Sequence, residues 1–272
     1  MRWNEMTAQE IVEAREKCGG VCILPMGCIE RHGSHLPVAI DYMMAWHFAD
    51  LAANLEPAMV FPPWYLGSLS DCSFAPGTIV FPLELCLKCL ESLCSEIARN
   101  GYKKILLLNT HGGNGPLIDF FLQTFCEKDR DYMVYYPNHG FRIGKRGVAA
   151  RERLAAETGI PGGHAAGYET AVALHLFPQC VRMDMMLPAE AGITQERSKP
   201  MTDAGLTVPP WWFSAYPHHC SSTGEGVTAE QGKAICDDVA QDIVEYIRAI
   251  KNDDTTLGIF REFRKKSGNP EL

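Results

Sequence analysis

Apolar residues run almost unbroken through GVCILPMG (20–27), AMVFPPWYLG (58–67), KKILLLNT (103–110) and DYMVYYPN (131–138). Short runs without polar alternation are the mark of strands covered on both faces. Between them, and again near the end, amphipathic stretches of helical length occupy about 41–54, 82–99, 114–127 and 228–250. Strand and helix alternate, so the pattern predicts an α/β fold with a mostly parallel sheet flanked by helices on both faces. Asn100-Gly101 closes the second helix, and Thr228 with Gln231 forms a capping box at the head of the last. Residues 188–224 are irregular and rich in Pro, Trp and His, as in VPPWWFSAYPHHCSSTGEG. They are too long for an idle connection and are expected to form a lid or an oligomer contact.

A chain of 272 residues with no internal repeat is expected to fold as one domain, 1–272. Its formal charge of -8, with no run of Lys or Arg, argues against nucleic acid as a partner. The N-terminal MRWNEMTAQEIVEAREKCGG has no apolar signal core, and no stretch approaches the roughly 20 apolar residues that cross a bilayer. A soluble, cytoplasmic protein without a membrane partner is expected. The eleven cysteines are scattered singly through apolar segments and read as reduced thiols. Cys86 and Cys89 form a CxxC, but within a helical pattern and without a second pair, so no zinc site is expected there.

Charge changes the picture where strands end. GCIERHGSHLPVAID (27–41) packs Glu30, His32, His35 and Asp41 behind the first strand. Glu30 and His32 are two apart, so an extended segment sends both to one side. His111 follows the third strand, and Gly112-Gly113 clears space beside it. A third polar segment, GIPGGHAAGYETAVALHLF, presents His164 and then Glu169 at the start of an apolar helix. In parallel α/β sheets such groups converge at the carboxyl edge, where ligands bind.

The segments LPMGCIERHGSHLPVAID, LLLNTHGGNG, GGHAAGYETAVAL and TGEGVTAEQGK resemble, in order and spacing, the signature segments of the creatininase family, across residues 22 to 236. The resemblance implies a compact α/β fold, often a homo-hexamer, with two divalent metal ions per site and hydrolysis of a carbon–nitrogen bond in a small-molecule substrate. By the same resemblance Asp41 is the carboxylate bridging the two ions, Glu30 and His111 bind one, His32 and Glu169 bind the other, and His164 transfers a proton. Three carboxylates and two imidazoles offset most of the charge of two divalent ions, and such a pair lowers the pKa of water toward ~7. Nitrogen and oxygen donors without thiolate suit Zn²⁺, Mn²⁺ or Fe²⁺ alike. Cys28 matches no ligand position.

Departures bear on the substrate. Members that hydrolyse creatinine carry an acidic residue where this chain has Gly113, so creatinine itself is not expected. Ala166, Ala171 and Cys72 also differ from the family pattern, Cys72 standing where a histidine is common. His35 is either a ligand or a donor that orients a ligating carboxylate, the second being preferred. Asn114 is expected to cap its helix, with a substrate contact as the alternative. Trp211 and Trp212 pack at a subunit contact or close over a flat ring, His218 and His219 lie at the surface or pocket rim, and the run RMDMMLP fills core. The leading function is opening of a cyclic amide, lactam or formamide by a metal-bound hydroxide. The alternatives are hydrolysis of a cyclic ketone of the oxidised-inositol type with carbon–carbon cleavage, and a non-catalytic metal-binding scaffold.

Overall fold

The computed structural model describes residues 1–188 and 193–270; positions 189–192, within the irregular segment flagged above, lie outside the described residues. Four parallel strands, β1 (Val21–Met26), β2 (Met59–Val60), β3 (Lys104–Asn109) and β4 (Met133–Tyr135), form one sheet in the order β2-β1-β3-β4. β1 and β3 run side by side in full register, from Val21 opposite Lys104 to Met26 opposite Asn109.

The helices are α1 (Ala8–Lys17), α2 (Ile40–Leu55), α3 (Leu83–Arg99), α4 (Asn114–Phe125), α5 (Lys145–Thr158), α6 (Gly167–Leu176), α7 (Lys199–Asp203), α8 (Trp211–Ala215), α9 (Ala229–Lys251) and α10 (Thr256–Gly268). Alternate residues of the central strands feed two cores. Val21, Ile23, Leu106 and Leu108 join the side chains of α2, α5, α6 and α9 on one face. Cys22, Leu24, Met26, Ile105 and Leu107 join those of α1, α3, α4 and α10 on the other. The unbroken apolar pattern follows directly, because every residue of β1 is buried. The boxes at Thr7/Glu10 and Thr228/Gln231 start α1 and α9 by satisfying free backbone N–H groups.

Two strands are shorter than the apolar runs suggested. Pro62-Pro63 cannot donate to a ladder, so β2 stops at Val60 and only a single bridge, Met26 to Trp64, resumes the pairing. β4 keeps three residues of its run. The irregular segment holds the short helices α7 and α8. The run RMDMMLP is only partly core: Met183 packs against it, while Met185 is exposed. Cys86 of the CxxC is buried beside α4, and Cys89 packs at the edge of the same core.

Candidate metal centre

Three helix N-termini meet at the carboxyl edge of β1 and β3. Asp41 lies in the first turn of α2, Asn114 opens α4, and Glu169 sits in the first turn of α6. The positive end of each helix dipole favours carboxylates there. Glu30 and His32 come from the loop after β1, and His111 from the turn after β3.

Asp41 stands at the centre. Its Oδ1 is 3.3 Å from His32 Nε2 and its Oδ2 is 2.9 Å from His111 Nδ1. Glu30 Oε2 lies 3.3 Å from the same nitrogen of His111, and Glu169 Oε2 lies 3.6 Å from His32 Nε2. Two donor groups therefore share Asp41: Glu30, Asp41 and His111 together with Cys28, and His32, Asp41 and Glu169. Within each, the donor atoms lie within 4.8 Å of one another. Glu30, His32 and Asp41 are each 1% exposed, so bulk water does little to offset their charge.

Hydrogen bonds to carbonyls fix the imidazole tautomers. His32 Nδ1–H donates to the Glu30 carbonyl at 3.0 Å, and His111 Nε2–H donates to the Ser68 carbonyl at 3.3 Å. Each bond turns the other ring nitrogen toward the carboxylates. His32 Nε2 is buried and makes no hydrogen bond of acceptable geometry. A buried orphan nitrogen between two carboxylate oxygens is a place for a cation, and the donor set fits a divalent ion of the zinc, manganese or iron kind.

The charges couple strongly. Burial alone would lower His32, but Asp41 and Glu169 raise it to about 10. Burial likewise opposes charge on His111, yet its bond to Asp41 and the charge of Glu30 raise it to about 9. Burial would raise Asp41, but the charge of His32 and the close approach of His111 hold it well below its ordinary value. Burial raises Glu169 to about 7 against the pull of His32, and Ala165 N–H donates to its Oε2 at 2.6 Å. Without cations, protons on the two imidazoles balance the carboxylates.

His164 borders this centre. Its ring lies 3.9 Å from that of His32, and its Nε2–H donates to the Arg31 carbonyl at 2.9 Å. The indole of Trp212 meets it edge-on at 5.1 Å. Burial, reinforced by His32, lowers its pKa to about 3, so the ring is neutral at pH 7.

The structure also corrects several expectations. Asn114 caps nothing: buried, it accepts from Ser68 N–H at 3.0 Å and donates to the Gly27 carbonyl at 3.2 Å and to Asn109 Oδ1 at 3.1 Å, tying the ends of β1 and β3 together. His35 supports no carboxylate; its Nε2 pairs with Thr170 Oγ1 at 3.0 Å. His218 is half-buried, but His219 is fully buried, with Nδ1 3.5 Å from Glu30 Oε1. Nothing in its spacing pointed there. Cys28 Sγ lies 2.9 Å from Asp41 Oδ2, and Cys72 Sγ lies 3.2 Å from Glu30 Oε1. The i, i+2 spacing of Cys28 and Glu30 was a usable signal for the first. Gly113 fits its place closely, since a Cβ there would lie 2.5 Å from His111 Nε2.

A parallel α/β sheet with a buried carboxylate–imidazole cluster at its carboxyl edge defines the class. The chain belongs to the creatininase family: the family model described as creatinine amidohydrolase matches residues 4–247. The chain is 24% identical over 195 residues to creatinine amidohydrolase of Pseudomonas putida, covering 68% of this chain and 75% of that one. It is 26% identical over 190 residues to 3-dehydro-scyllo-inosose hydrolase of Thermotoga maritima, covering 69% of this chain and 60% of the relative. A solved structure named creatininase Mn superposes with a TM-score of 0.70 at 21% identity, over 93% of this chain and 99% of that one. Among the described residues no helix is long and apolar enough to cross a membrane.

Proposed function

We propose that this chain, acting as one domain, is a two-cation hydrolase that opens a small cyclic amide, lactam or formamide. The observation that carries the reading is Asp41, whose two oxygens face His32 Nε2 and His111 Nδ1, two imidazole nitrogens delivered by different loops, each left without its proton when the other ring nitrogen donates to a carbonyl. Asp41 would bridge the cations, with Glu30 and His111 holding one, and His32 and Glu169 the other. When bound, divalent ions of zinc, manganese or iron polarise a carbonyl and lower the pKa of water toward ~7. The remaining work falls to the chain.

His164 is the proton carrier. Its Nε2–H is held by the Arg31 carbonyl, so Nδ1 is the ring atom free to take a proton. Burial beside His32 keeps the ring neutral without cations, and Nδ1 is the atom that would take a proton as water attacks and return it to the departing nitrogen. The edge contact with Trp212 fixes the ring's direction. Gly113 leaves no room for the acidic side chain that creatinine-hydrolysing members carry at that point, which supports a substrate other than creatinine.

The inosose hydrolase relative supports a second reading, in which the same site attacks a cyclic polyol ketone and carbon–carbon cleavage follows. The free cysteines suit a cytoplasmic protein, and exposed apolar residues such as Leu55, Phe120 and Ile259 suit a homo-oligomer. The test is a ring-opening assay of metal-replete protein against lactams, formamides and cyclic polyol ketones. Turnover of an amide supports the first reading and turnover of a ketone the second. No turnover in either class by fully loaded protein leaves a metal-binding scaffold and overturns both.

A further inference from the structure

Glu30 has two oxygens with different company. Oε2 faces His111, within the group that shares Asp41. Oε1 faces away from it, 3.2 Å from Cys72 Sγ and 3.5 Å from His219 Nδ1. Cys72 belongs to the loop between β2 and α3, and His219 to the loop after α8, so three separate segments deliver these donors. One donor atom from each lies within 4.8 Å of the other two, and all three residues are buried.

His219 is poorly provided for where it stands. Its backbone is held at φ 51, a region that side chains rarely adopt. Its ring is fully buried, yet Nε2 has no hydrogen-bond partner among the described residues, and Nδ1, 3.5 Å from Glu30 Oε1, receives only a long 3.4 Å hydrogen bond, from Trp212 Nε1. An imidazole carried into the interior at the cost of an unusual backbone, with Nε2 unpaired and Nδ1 held only at long range by Trp212 and Glu30, leaves room for a stronger partner at Nδ1.

We propose that Glu30, Cys72 and His219 form an additional cation site, distinct from the two positions that share Asp41 and selective for borderline-soft ions such as Zn²⁺ or Co²⁺. One thiolate, one imidazole and one carboxylate make the three-ligand set, with an open fourth position, that such ions accept in tetrahedral geometry. Binding replaces the Cys72 thiol proton, which leaves to solvent, and turns the S–H···Oε1 contact into two bonds to the ion. Glu30 bridges outward, as Asp41 does inward. The ion ties the loop before α3 to the loop after α8. Phe74 already packs on His219 at 4.7 Å and edge-on to Phe213 at 4.6 Å, so it would fasten the segment carrying Trp212 over His164. Manganese, which prefers oxygen donors, would leave this position vacant.

The test is cobalt titration of metal-free full-length protein, followed by absorbance and metal analysis, with parallel titrations of Cys72→Ser, Cys72→Ala, His219→Gln and Cys28→Ser. The wild type should bind one more cobalt per chain than the Cys72 and His219 variants. That extra ion alone should bring the thiolate-to-cobalt charge-transfer absorption in the near ultraviolet. Cys28→Ser should keep both the ion and the absorption. Equal stoichiometry in wild type and Cys72→Ser overturns the proposal, as does an absorption that survives in Cys72→Ser and vanishes in Cys28→Ser. Cobalt bound only at the Cys72 site would leave this proposal standing while defeating the two-cation hydrolase.

Discussion

The Oδ2 oxygen of Asp41 and the Nδ1 nitrogen of His111 lie 2.9 Å apart, joining the first turn of α2 to the turn after β3 across 70 positions of sequence. That approach brings the two halves of the centre together. Thr110 reinforces it, its hydroxyl donating to the Asp41 carbonyl at 2.6 Å.

Removing the bridge should therefore cost both cations. In Asp41→Ala, affinity for added zinc or manganese should fall by more than the ~10–100-fold that follows loss of a residue merely supporting a ligand. Equilibrium dialysis with metal analysis reads this directly. Circular dichroism separates loss of the site from loss of the fold.

Cation binding should release protons. His32 and His111, raised to about 10 and about 9, hold protons at pH 7 that a cation must displace. Calorimetric titration with manganese in buffers of different ionisation enthalpy should report at least two protons leaving as the positions beside Asp41 fill, and apparent affinity should rise with pH up to about 10. Equal heats in all buffers would contradict the coupling.

The same shifts set the stability of the metal-free protein. Native pKa values above the unfolded ones, for His32, His111 and also Glu169, mean that the native state binds more protons. The stabilisation from the two imidazoles is complete below pH ~6.5 and disappears as pH rises through about 9 to 10. Thermal unfolding of metal-free protein should shift downward across that window. Metal-loaded protein should not follow it, because cations stand where the protons were.

How much of this was legible in the sequence differs from element to element. The strands β1 and β3 were plain because both faces are buried, and the capping box at Thr228 marked the start of α9. The run 58–67 overstated β2 because apolar content conceals that Pro62 and Pro63 lack N–H donors. Glu30, His32, Asp41, His111 and Glu169 stand out because they follow a strand or sit near a helix start, while His164 lies in a Gly-rich loop; the role expected of each, His164 included, rests on the resemblance to the creatininase-family segments. His219 could not: it comes from an irregular segment whose path depends on packing of α8 against the loop at Cys72, and no local periodicity encodes that path. Asn114 was misjudged for a related reason, since its helix-opening position suggested a cap while its side chain serves three distant partners.

His164→Gln should keep its cations and lose turnover. General acid–base groups contribute typically ~10²–10⁴-fold, and a loss of that size in kcat with unchanged metal content is expected. A variant that retained full kcat would remove His164 from the proton path.

Gly232→Ala should loosen the centre from a distance. A Cβ at Gly232 would collide with the Ala171 carbonyl oxygen, where α9 crosses α6 just beyond Glu169. Overpacking of this kind costs ~1–3 kcal/mol, visible as a lower denaturation midpoint. Because the displaced helix carries Glu169, cation affinity should fall as well; a stable variant with wild-type affinity would show that α6 yields without moving the carboxylate.

The most direct measurement is anomalous diffraction from crystals of the metal-loaded protein, collected on either side of the absorption edge of the added cation. The account predicts two peaks flanking the Asp41 carboxylate, one contacted by Glu30 and His111 and the other by His32 and Glu169. Crystals grown at saturating cation that show no anomalous peak beside Asp41 would contradict it.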